Sequence, residues 1–267
     1  MQADLILADV EAIRAKSPLV HNITNYVVMN TTANALLAIG ASPVMAHSIE
    51  EVEDMVGIAG AIGGALVINI GTLSEKWIAA MDKAMRAANE KNVPIVFDPV
   101  GAGATPYRTD TCKQLLGSHR PSIIRGNASE VMALLNSDVT TKGVDSSATT
   151  DAALETAKLV AGTYGCVVSV SGETDIITDG EKIIRVAQGH ALMTRVTGLG
   201  CTASAITGAF AAVNKDTLAA AAHAMAVMGI CGEIAAKKSA GPGTLQLHFY
   251  DALHNLDLSG VSAHLRA

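Results

Sequence analysis

Aromatic side chains are scarce: one Trp, four Tyr and three Phe make up 3% of the 267 residues. A core built without them has to be filled by aliphatic and Met side chains and by the close approach of small ones, which suits helices layered tightly on a sheet. Charge is thin as well, at 16% of residues with a formal net charge of −6 and no basic run. That balance argues against nucleic acid or an anionic membrane as the main partner and favours a small molecule. The start, Met1-Gln2-Ala3-Asp4-Leu5, lacks the basic residues and apolar stretch of a signal peptide. No segment shows the roughly 18 to 20 continuous apolar residues of a membrane span. Cysteine is limited to positions 112, 166, 201 and 231, without C-x-x-C spacing or a neighbouring His group, which excludes zinc sites of the usual spacing. The expectation is a reduced, cytoplasmic protein. The eight histidines are scattered without H-E-x-x-H. A P-loop, G-x-x-x-x-G-K-[ST], is absent too, which excludes that mode of nucleotide binding.

What is present is a 49% apolar chain, long enough for a substantial core and without repeats, low-complexity linkers or a break in composition. Apolar runs of strand length at 65–70, 93–98, 121–124 and 166–171 alternate with helical spacing near 74–91, 109–117, 127–135 and 149–163. Alternation of this kind predicts an α/β domain with a mostly parallel sheet and helices on both faces. The last third adds two strands, 174–178 and 181–187, joined by a two-residue Asp179-Gly180 turn. Helical stretches near 202–213, 217–238 and 243–257 follow. The segment 136–150, rich in Ser, Thr, Asp and Gly, reads as a mobile flap.

The line richest in chemistry is Gly198-Leu199-Gly200-Cys201-Thr202, followed by a run of small residues. Glycines let the backbone turn and approach a ligand closely, and the helix that follows points unpaired N–H groups into the turn. This predicts an anion site, with Cys201 at its mouth as a potential proton acceptor for phosphoryl transfer. Gly198, Gly200 and Ala203 also fit the looser dinucleotide pattern, but they open a run of helices instead of a strand-helix-strand unit.

Other candidates lie where apolar strands end, the usual edge for ligands in such sheets. Asp98 closes one strand before Pro99-Val100-Gly101-Ala102-Gly103. It is either a turn-initiating Asp or a carboxylate for Mg2+ beside a nucleotide. In Arg125-Gly126-Asn127-Ala128-Ser129-Glu130, Asn127 and Glu130 have capping-box spacing. Glu130 can also serve as a second metal-side acid, and Arg125 as a phosphate or adenine-side contact. Ser171, before Gly172-Glu173, is a phosphate-facing hydroxyl or a simple turn. Met45, after Gly40-Ala41-Ser42-Pro43-Val44, ends a strand near the crevice.

Five blocks in order, beginning with Ser17-Pro18-Leu19-Val20-His21-Asn22-Ile23-Thr24-Asn25 and continuing through Gly40–Met45, Asp98–Gly103, Ile124–Glu130 and Gly198–Cys201, resemble the hydroxyethylthiazole kinases. The resemblance runs nearly end to end. It implies one ribokinase-like kinase domain over 1–267, transferring the γ-phosphoryl of ATP to the hydroxyl of 4-methyl-5-(2-hydroxyethyl)thiazole in thiamine biosynthesis and salvage. It further implies Asp98 and Glu130 as Mg2+-side acids, Arg125 and Ser171 as ATP contacts, and Met45 and Gly198 as thiazole contacts with Asn25 nearby. A homotrimer with pockets between subunits is implied as well. The wider ribokinase-like group usually ends the glycine turn in Asp where this chain has Cys201. A free thiol titrates near about 8.5; a helix N-terminus lowers that value and a triphosphate raises it. The N-terminal block separates the chain from hydroxymethylpyrimidine (phosphate) kinases, the nearest alternative. Cys201 counts against a dehydratase of the same fold, and the intact acids count against a nucleotide sensor without turnover.

Overall fold

A computed structural model describes residues 1–135 and 150–266. The segment 136–150 read as a flap lies outside the described residues except for Thr150. The elements run α1 (Ala3–Lys16), β1 (Leu19–Ile23), α2 (Met29–Ile39), β2 (Ser42–Val44), α3 (Val52–Ile62), β3 (Ala65–Asn69), α4 (Glu75–Glu90), β4 (Ile95–Asp98), α5 (Pro106–Ser118), β5 (Ile123–Asn127), α6 (Ala128–Met132), α7 (Thr150–Tyr164), β6 (Val167–Ser171), β7 (Asp175–Thr178) and β8 (Ile183–Val186). A 3₁₀ turn (Ala191–Arg195) leads to α8 (Leu199–Val213), α9 (Thr217–Lys238), α10 (Pro242–Asn255) and α11 (Leu258–His264).

Among the described residues the strands form one eight-stranded sheet in the order β2-β1-β3-β4-β5-β6-β7-β8. The first six are parallel, and β7 and β8 close the far edge antiparallel. Residue alternation along each strand divides the interior into two cores. Val20, Val67, Val96, Ile123 and Val167 face the layer holding α1, α2 and α8 to α11. Leu66, Ile68, Ile95, Phe97, Ile124 and Val168 face α4, α5, α6 and α7. From β1 the chain steps to one side for β2 and then crosses back to the other for β3. Such a reversal opens a crevice beyond the carboxyl ends of β1 and β3.

The short side chains of α8 let it lie almost on the sheet. A Cβ on Gly208 would fall 2.7 Å from Cγ2 of Val67 on β3 and 3.2 Å from Cγ1 of Val20 on β1. Gly208→Ala is therefore expected to cost about 1–3 kcal/mol through overpacking; unchanged urea unfolding would show that α8 has room to lift.

The turn between β7 and β8 departs from the two-residue expectation. Thr178 pairs with Ile183, so four residues, 179–182, make the connection. Side chains take over the turn's hydrogen bonds. Asp179 Oδ1 accepts from the N–H of Glu181 (3.0 Å) and of Lys182 (2.7 Å), and Thr178 Oγ1 donates to Lys182 O at 2.7 Å. Helix α9, with 22 residues, is by length and composition long and apolar enough to cross a membrane, although His223 and Glu233 interrupt its apolar run. Here its apolar surface is taken up by packing, with Met225, Val227, Met228 and Ile230 all buried.

Candidate active site

Strand periodicity assembles the site. Asn69, Asp98 and Arg125 each stand two residues beyond a core residue, Val67, Val96 and Ile123 respectively, and so share that face of the sheet. Asn69 and Asp98 are register partners. Over them sits the first turn of α8. Its N-cap, Gly198, has φ +85, the left-handed region that glycine occupies without steric cost. A Cβ there would lie 2.6 Å from Val28 Cγ1. The first intrahelical bond is Thr202 N–H to Gly198 O, 2.8 Å. The N–H groups of Leu199, Gly200 and Cys201 precede it, and no side chain caps them. Three donors and the positive end of a 15-residue helix thus come together at this turn, an arrangement suited to an anion.

Asp98 Oδ2 accepts from Asn69 Nδ2 at 2.8 Å and from Ser204 Oγ, on α8, at 2.7 Å. Burial pushes its carboxyl up to about 6 despite the opposing pull of Arg125 and Ser204; Glu130 adds to the rise. Asn25, just past β1, donates Nδ2 to Asn69 Oδ1 at 2.9 Å and to Cys201 Sγ at 3.4 Å. Asn69 Oδ1 also accepts from Gly71 N–H at 2.9 Å. A Cβ at Gly71 would lie 2.6 Å from Asn25 Nδ2, so glycine is needed for this knot across the crevice. The Cys201 thiol is pushed up to about 11, first by burial and then by Asp98. Lost solvation raises the thiol even though Asn69, Asn25 and Arg125 pull it down.

Arg125 is buried and donates Nη1 to Gly200 O at 3.0 Å, while its Nε is buried without a partner. Glu130 builds the capping box that its spacing suggested. Its Oε2 accepts from Asn127 N–H and Asn127 Oδ1 accepts from Glu130 N–H, both at 2.9 Å. Glu130 Oε1 also takes Gly101 N–H at 2.9 Å, tying α6 to the loop after Asp98. Each carboxylate oxygen keeps a further lone pair. Ser171 ends β6 with Oγ 3.4 Å from Gly126 O. Met45 follows β2, the edge strand beside β1; no hydrogen bond or cavity wall joins it to Arg125 or Ser171 among the described residues. Its loop meets the Asn25 loop through rings: Trp77 lies 5.0 Å from Tyr26 and 4.6 Å from His47 between centroids.

A cavity of about 790 Å³ adjoins this turn, and its lining combines Arg125, Ser171 and Asp175 with Met193, Met225 and Met228. It falls within the size range of ligand sites, roughly 300–1,000 Å³. Asp175 was not anticipated from sequence. It accepts from Gly172 N–H at 2.9 Å and is pushed up to about 6 by burial. Asn69, Ser204 and Arg108 were not anticipated either. Arg108 donates to Ile70 O, Val100 O and Gly71 O at 3.1, 2.7 and 2.9 Å, fastening the loops after β3 and β4. For Asn69 a signal existed, since it closes an apolar strand as Asp98 does.

Among the described residues no three or more His, Cys, Asp or Glu cluster as a metal site. Mg2+ beside a nucleotide does not need such a cluster, because one or two carboxylates with phosphates and water suffice. Asp98 and Glu130, near enough for one to raise the other's proton affinity, fit that donor set.

Residues 10–259 match the profile of the hydroxyethylthiazole kinase family. A hydroxyethylthiazole kinase of Syntrophus aciditrophicus is 57% identical over 97% of this chain and 95% of its own length. One of Leptospira biflexa is 55% identical over 98% and 96%. The solved structure of the Pyrococcus horikoshii hydroxyethylthiazole kinase superposes with a TM-score of 0.90 at 41% identity, covering 98% of both chains. A pyridoxal kinase from Staphylococcus aureus shares the ribokinase-like fold alone, with a TM-score of 0.58 at 16% identity over 81% of this chain and 87% of its own. Sheet order, glycine turn and near-complete sequence match agree, and the chain belongs to the hydroxyethylthiazole kinase family.

Proposed function

We propose that this chain, one ribokinase-like domain over 1–267, transfers the γ-phosphoryl of ATP to the hydroxyl of 4-methyl-5-(2-hydroxyethyl)thiazole. The observation that carries the reading is the meeting of Arg125 and Cys201 at the uncapped first turn of α8, with Asp98 held by Ser204 one turn further on. ATP occupies the cavity lined by Arg125 and Ser171, with the guanidinium of Arg125 at its wall to donate to a phosphate oxygen. Asp98 and Glu130 would hold Mg2+, which when bound offsets the charge of the triphosphate. The thiazole alcohol lies toward Asn25, Gly198 and Met45. Charge developing on the transferred phosphoryl falls on the N–H groups of Leu199, Gly200 and Cys201.

Cys201 is the candidate proton acceptor. With the thiol pushed up to about 11, only a small thiolate fraction is available near neutral pH, so the turn carries the larger share of catalysis. A loose transition state tolerates late departure of the alcohol proton. Cys201→Asp is expected to keep activity, since a carboxylate is a competent acceptor. Complete inactivation would mean that the thiol does something other than receive a proton. Coupled measurement of ADP release with the thiazole alcohol, with hydroxymethylpyrimidine and with no acceptor tests the activity itself. Faster release with the pyrimidine than with the thiazole would overturn it.

A homotrimer with pockets between subunits is part of the proposal. Tyr26 and Val27, 67% and 65% exposed beside Asn25, support it, because a neighbouring subunit would cover that apolar surface. Light scattering that gives a monomer mass would remove the shared pocket. The cytoplasm is the proposed location, supported by cysteines that are all free, three of them buried.

A further inference from the structure

The far wall of the large cavity is a coil segment, 187–190, between β8 and the 3₁₀ turn, and its support comes from outside the sheet. It lies directly on α9: a Cβ on Gly229 would fall 2.5 Å from Gln188 O, and one on Gly232 would fall 2.1 Å from Met193 Sδ. One turn along α9 from Gly229, the buried Glu233 accepts from Gly189 N–H at 2.8 Å through Oε1. The same oxygen pairs with Arg266 Nη2 at 2.6 Å. Arg266 Nη1 donates to Ala187 O, and Gln188 Nε2 donates back to Arg266 O at 3.4 Å. Helix α11 carries Arg266 to this position, anchored on α9 where Lys237 Nζ meets His264 Nε2 at 2.7 Å. Arg266 itself lines the cavity, and it lies beyond residues 10–259 that match the family profile.

We infer that Arg266, acting through Glu233, is a positioning residue for the nucleotide: it clamps the 187–190 wall and thereby sets affinity for ATP without entering the phosphoryl step. This rests on ATP occupying the cavity beside Arg125. A carboxylate that is nine-tenths buried and deprived of its guanidinium draws in water or rotates away, releasing Gly189 and loosening the wall. The acceptor end, at Asn25 and Cys201, shares no hydrogen bond with this clamp among the described residues.

The test uses the full chain with Arg266→Ala, Arg266→Lys and Arg125→Ala, read by steady-state kinetics and by calorimetric binding of ADP with Mg2+. Arg266→Ala is expected to raise KM for ATP and Kd for ADP about tenfold, the effect of losing one charge-assisted hydrogen bond. Turnover number and KM for the thiazole should stay within about twofold by the same measure. Arg266→Lys, which keeps the charge but not the fork, should fall between. Unchanged nucleotide constants in Arg266→Ala, with ADP weakened in Arg125→Ala, would overturn the clamp and leave the nucleotide reading standing. An ADP affinity unchanged in Arg125→Ala, or no ADP binding to the unmodified protein, would overturn both. Equal losses in KM for ATP and for the thiazole would reduce Arg266 to a general structural role and overturn the inference as well.

Discussion

Asp98→Asn is expected to lower turnover by about a thousandfold, the scale seen when a group that stabilises transition-state charge is removed, while making the metal-free protein more stable at neutral pH. Both effects come from one carboxylate. Asp98 is 1% exposed, and burial holds its pKa at about 6. In the unfolded chain the same carboxyl titrates near its ordinary value, about 3.9. Between those two values the folded state binds the proton and the unfolded state does not, so stability rises as pH falls through about 6 and levels off below about 4. At pH 7.5 the folded protein therefore carries a cost of burying charge. A rise of about two pKa units corresponds to at most roughly 3 kcal/mol. The substituted asparagine would carry no charge, and its amide oxygen can still accept from Asn69 and Ser204. Thermal melts in EDTA should show the variant several degrees above the parent at pH 7.5, with the gap closing at pH 4.5. A variant that melts lower at neutral pH would sink the electrostatic account. Near-normal turnover would remove Asp98 from the chemistry.

That a site is strained by burial in this way could not be read from the residues alone. Asp98, Arg125 and Ser171 were legible because each closes an apolar run, and the carboxyl ends of parallel strands are where ligands sit. The Asn127–Glu130 capping box was legible because its spacing is local. Asn25 meeting Asn69, 44 residues away, was not, since pairing across the β1–β3 crevice depends on strand order. For the Cys201 thiol the opposing pulls of helix and triphosphate were legible, but the rise caused by burial was not. A dipole is a property of one element, whereas desolvation comes from everything packed around it. Arg266 escaped for the same reason: nothing in the sequence ties it to Glu233, 33 residues earlier. The four-residue turn at 179–182 shows a smaller version of the effect, with the side chains of Thr178 and Asp179 overriding the preference of Asp-Gly for a two-residue turn.

Gly200→Val is the more searching experiment on the anion site, because it leaves every charged group in the chain unchanged. Gly200 is in the helical first turn of α8, so its role is one of space and not of unusual backbone angles. A Cβ at this position would sit 3.0 Å from Arg125 Nη1, on the guanidinium that donates to Gly200's own carbonyl. Alanine would require Arg125 to give by a few tenths of an ångström. The branched side chain of valine adds two methyl groups, forcing either the guanidinium or the turn to move. If the guanidinium moves, ATP loses its phosphate contact; if the turn moves, the N–H groups of Leu199 to Cys201 lose their aim. Turnover is expected to fall at least 10²- to 10³-fold, as when an oxyanion donor is lost, with ADP affinity weakened if Arg125 is what yields. Gly198→Ala differs, since it meets both φ +85 and Val28 at 2.6 Å and so threatens folding before function. Gly200→Val should therefore retain cooperative unfolding near that of the parent while losing activity. A folded Gly200→Val enzyme with near-normal rate would show that neither the turn's donors nor the Arg125 contact holds the transferring phosphoryl group.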